Sequence, residues 1–133
     1  MMLRDPALLV ARVLLVAIFP ISGYYKIMQW PAIAGVVERA GLPFPTLLGM
    51  LGTAAELVLP ALVVLGLWTR CAAAGLVVYV IAATYIGHPI RNVPPEVYFA
   101  QLMGIMKNLA LIGGLLAIAA AGPGRWAIQP TKV

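Results

Sequence analysis

The chain has 133 residues, of which 63% are hydrophobic and only 10% charged. A typical soluble domain is about 45–50% apolar and about 25% charged, so a soluble domain, a disordered tail and a collagen-like fibre are all excluded. A single cysteine (Cys71) and a single histidine (His88) leave no intrachain disulfide, no cysteine-built zinc or iron–sulfur site and no bis-histidine haem ligation within one chain, and the net charge of +5 reads as membrane topology and contact with anionic lipid, not nucleic-acid binding.

What remains is an all-α membrane protein, a four-transmembrane-helix bundle forming one membrane domain over 1–133. Lipid offers no partner to open backbone groups, so each span must be helical, and each needs about 20 apolar residues. The first predicted span covers about 7–28. Arg4 precedes it as in a signal peptide, but its length, Arg12, Lys26 and the lack of a small-x-small cleavage site predict a retained helix. Pro20 removes a helix hydrogen bond and frees the carbonyl of Val16. After Trp30-Pro31, residues 32–40 place Ile33, Val36 and Val37 on one face and Glu38 and Arg39 on another, the pattern of a short interfacial helix.

Gly41 to Pro45 is a breaker, leading into a second span over about 46–68. Within it Gly49, Gly52, Thr53, Glu56 and Pro60 recur on one stripe, and Pro60 frees the carbonyl of Glu56. A tight hairpin over 67–70 leads to a third span at about 71–87, whose small face is Gly75, Tyr79, Ala82 and Ala83. A loop from His88 to Glu96 follows, then a fourth span over about 97–121, stopped by Gly122-Pro123-Gly124. Trp30, Trp68 and Trp126 read as interface anchors. Arg4, Arg70, Arg125 and Lys132 lie on the side of the termini, against Arg39 and Arg91 on the other, which predicts both termini in the cytoplasm.

Charge inside a span is costly and needs a reason. The charged residues of the spans are Arg12, Lys26, Glu56 and Lys107. At 1.5 Å per residue, Glu56 lies ~15 Å and Lys107 ~13–15 Å below the outer ends of their helices, both near the midplane, whereas Lys26 lies only ~5 Å below its own. This predicts a Glu56–Lys107 ion pair with Asn108, Thr53 and Lys26 nearby and Arg12 close to the same face. The competing reading is a pair that only fixes helix register. His88, beside Pro89 at a helix end, is a secondary candidate, weighed against a purely structural role. No Ser–His–Asp set or metal-ligand cluster suggests an autonomous enzyme.

The segments ARVLLVAIFPISGYYKI, AAELVLPALVVLGLWTR and MKNLALIGGLLAIAAAGPGRWAIQ resemble the DoxX family of small four-helix bacterial membrane proteins. The matching elements run in order through Arg12, Ser22-Gly23-x-x-Lys26, Glu56, Gly66-Leu67-x-Thr69-Arg70, Lys107-Asn108 and Gly122-Pro123-Gly124, spanning about 11–128. After Gly124 the chain carries Arg125 to Gln129 where many members have Ser followed by Leu/Ile-Asp. The resemblance implies the bacterial inner membrane and a redox-associated role, at most as a subunit of a quinone-linked oxidoreductase working with redox partner proteins or as a homo-oligomer. It leads to a quinone as the expected ligand, held near Glu56 and Lys107 in an apolar cleft. The alternatives are an assembly subunit of a larger membrane complex with no ligand of its own, or a small oligomeric transporter.

Overall fold

The computed structural model describes residues 3–130. Six helices run in order: α1 (Arg4–Val16), α2 (Ile18–Met28), α3 (Trp30–Arg39), α4 (Pro45–Leu65), α5 (Thr69–Gly87) and α6 (Pro95–Ala121). Among the described residues four stretches are long and apolar enough to cross a membrane: Arg4–Met28, Pro45–Leu65, Thr69–Gly87 and Pro95–Ala121. The first contains both α1 and α2, because the helix breaks at Ala17, three residues before Pro20. Pro20 has no N–H for the preceding turn, and its ring crowds the carbonyl of Val16. Pro60, by contrast, sits inside α4 without ending it.

The boundaries differ from expectation for local reasons. The second span stops at Leu65, short of Trp68, because Gly66 adopts φ +72° and its N–H and that of Leu67 donate back to Val63 and Leu62. That is the glycine-terminated helix end expected when only a residue without Cβ fits the left-handed position. α6 begins at Pro95, two residues before the expected start, with Pro95 in a first turn where no N–H is needed and Glu96 beside the positive end of the helix. α3 starts at Trp30, so Trp30-Pro31 opens that helix, and the break falls at Gln29 (φ −112°, ψ 37°).

The helices form a ring. The first span packs on α4, α4 on α5, α5 on α6, and α1 closes back onto α6. α3 packs on α4 and touches α5, burying Val37 and laying Trp30 over Gly49. The apolar centre joins Val16 and Phe19 with Val63, Ala72, Ala73, Leu76, Val80, Leu115 and Ile118. Ala72 and Ala73 let α5 approach its neighbours closely, the way helices associate where lipid supplies no hydrophobic drive.

One end of the bundle is tied together by the C-terminal tail. Ile128 and Gln129 N–H donate to the carbonyls of Leu65 and Gly66 at 3.0 Å each, the Trp68 N–H donates to Gln129 Oε1 at 2.9 Å, and the Arg125 N–H to Asp5 Oδ1 at 3.0 Å. The N-terminal helix start, the 66–68 hairpin and the tail therefore share one end, the grouping on which the sequence-based topology rests. Lys132, counted with that side, lies outside the described residues.

Candidate functional site

The two halves of the first span meet different helices. α1 contacts both α4 and α6, whereas α2 contacts α4 but not α6: no Cα of α2 lies within 8 Å of one in α6. Gly23 sets the closeness of the α2–α4 approach. A Cβ there would stand 2.8 Å from Leu57 Cδ2, so only glycine fits without moving Leu57. One turn later, Lys26 reaches α4.

The Lys26 ammonium lies 2.7 Å from Glu56 Oε2 and donates to the Tyr79 hydroxyl at 2.5 Å. The Glu56 side chain is 3% exposed and that of Lys26 27%. The Lys26 ammonium also sits 5.3 Å from the centre of the Tyr79 ring. Phe19 holds that ring edge-to-face, with centroids 6.2 Å apart at 71°. Three spans thus converge on one charged centre. Of the three ammonium donors of a lysine, one goes to Glu56 and one to Tyr79, leaving a third toward the adjacent cleft.

This corrects the expected Glu56–Lys107 pair. Among the described residues the ion pair of Glu56 is with Lys26. Glu56 and Lys107 line the same cleft, but α2 packs on α4 and not on α6, and the long Lys26 side chain brings its ammonium to the carboxylate. Lys107 stands across the cleft on α6, exposed and without an ion-pair or hydrogen-bond partner among the described residues. Asn108 does belong to the neighbourhood: its Nδ2 donates to Thr84 Oγ1 at 2.9 Å, and Thr84 donates to the Val80 carbonyl at 2.6 Å. Thr53 is buried one turn from Glu56, but its hydroxyl donates to the Gly49 carbonyl of its own helix, so it is placed beside the centre without joining it.

The cleft between α2 and α6 has a volume of about 230 Å³. Lys26, Glu56, Tyr79, Lys107 and Asn108 line it, with Phe19, Val80 and Leu111 among its apolar walls. His88 closes one end and also lines a larger cavity, of about 800 Å³, that holds Arg39 and Arg91. Its ring lies against Gly104, where a Cβ would be 2.3 Å from Cε1, and its Nδ1 is 2.9 Å from Gln101 Oε1. Gly87 and the single histidine thus border both the loop-side cavity and the cleft beside the buried centre.

Arg12 is elsewhere. It is 0% exposed, and its guanidinium donates to the carbonyls of Val63, at 3.3 Å, and Trp126. It clamps the end of α4 and the C-terminal tail. The structure places it away from the Lys26–Glu56 centre: fourteen residues of helix separate Arg12 from Lys26, ~21 Å at 1.5 Å per residue.

Tyr79 and Gln101 are the polar partners that the pattern of intramembrane charge did not single out. The signal for Tyr79 was present: it is the one large polar side chain on the otherwise small face of α5. Gln101 gave none, since its role depends on how the 88–94 loop folds back onto α6.

The sequence matches the DoxX family model over residues 7–89. It is 30% identical over 121 residues to the inner membrane protein YphA of Escherichia coli (strain K12), covering 91% of this chain and 86% of that protein. To the membrane protein Rv3486 of Mycobacterium tuberculosis (strain ATCC 25618 / H37Rv) it is 29% identical over 131 residues, covering 93% and 80% respectively. No solved structure matches the chain.

Proposed function

This chain belongs to the DoxX family, and from that premise we propose that it is a redox-associated inner-membrane protein that binds the ring of a quinone-like ligand in the cleft beside Lys26, Glu56 and Tyr79. The observation that carries this reading is the convergence of Glu56 and Tyr79 on the Lys26 ammonium at the wall of a cleft that also has apolar walls in Phe19, Val80 and Leu111. A few polar groups aimed into an apolar cleft are the usual form of a small-molecule site. The volume, about 230 Å³, exceeds the roughly 150 Å³ cavity that holds benzene, which suits a single substituted ring. The third Lys26 donor, the Lys107 ammonium and the second Asn108 Nδ2 hydrogen supply hydrogen bonds to ring oxygens on both sides of the cleft.

In this reading both termini face the cytoplasm, α3 lies along the outer interface, and electrons reach the ligand from a partner protein. The chain's own residues bind and orient the ring, and the Lys26–Glu56–Tyr79 network holds protons beside its oxygens. The test is the thermal stability of purified protein with and without a soluble benzoquinone. Wild type gains stability and Glu56→Gln does not; a wild type indifferent to the quinone removes the reading.

A second reading is supported by the mutual satisfaction of Lys26 and Glu56 at 2.7 Å. The pair then only fixes the register of the first and second spans, in an assembly subunit with no ligand. Stable, stoichiometric recovery of a partner protein in mild detergent, with no quinone effect, selects it.

A further inference from the structure

The ring of helices closes poorly at one seam. α1 meets α6 far more sparingly than α5 does, and α2 does not meet α6 at all. Along the lower part of this seam runs a groove of about 610 Å³. Leu8, Ala11 and Leu15 form one bank and Gly114, Ala117 and Ala121 the other, and every lining residue is apolar. From Leu111 to Ala121 it extends ~15 Å at 1.5 Å per residue, about half of the ~30 Å hydrocarbon core.

The groove and the polar cleft adjoin along the same two helical stretches. Ile18 and Leu111 line both. A substituent on a ring held against Lys26 and Glu56 would have to pass Ile18 and Leu111 to reach the groove, whose lining is wholly apolar. We propose that the α1–α6 groove seats the apolar chain of the same molecule whose ring occupies the cleft, so that the site selects a ring carrying one long hydrocarbon or isoprenoid tail. This rests on the ring-binding reading above. The shape also provides an entry route: a tailed ligand slides into the seam sideways from one leaflet, ring last, without parting any of the tighter helix pairs.

The chemistry of the two halves divides the labour. The cleft offers a cation, a carboxylate and a hydroxyl, and recognises the head. The groove offers only dispersion contact and shape, and recognises length. Gly114 allows the close fit at the middle of the groove, since Leu15 Cδ1 lies 2.7 Å from where a Cβ would be. Ala117 and Ala11 are exposed, so larger side chains there enter the groove from opposite banks without disturbing the core.

The experiment compares a methoxy-substituted benzoquinone without a side chain and the same ring carrying a ten-carbon chain, measured by equilibrium binding to the purified full chain in one detergent. In wild type the chain raises affinity at least tenfold. Ala117→Phe and Ala11→Phe bind the bare ring as wild type does but lose that gain, whereas Glu56→Gln loses both ligands. If the gain survives in both phenylalanine variants, the chain lies in detergent and the groove is not its seat. If those variants shed co-purified phospholipid while both affinities stay unchanged, the groove is an ordinary lipid site and the proposal is overturned. Failure of the bare ring to bind wild type removes the ring-binding reading itself, and the tail seat with it.

Discussion

Lys26 on α2 reaches Glu56 on α4 across 2.7 Å, thirty residues apart in sequence, and this contact exists because Gly23, one turn earlier, lets the two helices close on each other. The charge pair and the small residue are one device. A side chain at 23 would press on Leu57 beside the pair, in which the Glu56 side chain is 3% exposed.

Removing one member of the pair is therefore more damaging than removing both. Breaking a buried ion pair costs about 3–5 kcal/mol because the partner charge stays behind uncompensated. Lys26→Met, with Lys26 partly accessible, falls at the lower end of that range. The double variant Lys26→Met with Glu56→Gln recovers part of the loss. A double-mutant cycle by denaturant titration in detergent measures this, and purely additive losses would show that the two side chains do not interact.

Arg12 acts on stability and not on the ligand. Its two carbonyl acceptors belong to α4 and to the tail, and hydrogen bonds to a charged group contribute about 1.5–3 kcal/mol each. Arg12→Met lowers stability by about 3 kcal/mol and exposes the tail after Gly122 to protease. Gly66→Ala gives the same cleavage, since its φ of +72° disfavours a side chain and its Cβ would stand 2.9 Å from the backbone of Ala127. Unchanged proteolysis in both variants would disconnect Arg12 from the tail.

The spans, their order and their charged residues were legible in the sequence, because apolar length and intramembrane charge are one-dimensional properties. Pro20 even marked where the first span breaks. The partner of Glu56 was not legible. Depth along straight helices favoured Lys107, but pairing depends on lateral distance, which the packing of α2 on α4 sets in three dimensions. Arg12 was misplaced by the same reasoning: a shared helix face says nothing of the tail that folds back to meet it. Tyr79 was visible as an odd large residue on a small face, and only the packed structure gives it the Lys26 ammonium.

The single histidine gives a clean spectroscopic signal. His88 Nδ1 pairs with Gln101 Oε1 while its ring rests on Gly104. Gly104→Ala pushes the ring away, and Gln101→Leu removes the partner. Both shift the Nδ1 resonance of nitrogen-labelled histidine in the same direction. A resonance unmoved by either substitution would mean that the contact does not form in the bilayer.

Orientation can be read from the lone cysteine. Cys71 is exposed at the start of α5, beside the hairpin that the tail covers, and so reports the side of both termini. A membrane-impermeant thiol reagent labels it in inverted inner-membrane vesicles and not in intact spheroplasts. The opposite pattern would place the termini outside.

We propose the Lys26–Glu56–Tyr79 centre as a ligand site. Native mass spectrometry of the protein released gently from its own membrane tests it most directly, with wild type beside a folded Glu56→Gln variant. A quinone-sized adduct is expected on wild type and absent from the variant. Phospholipid alone on both proteins would contradict it.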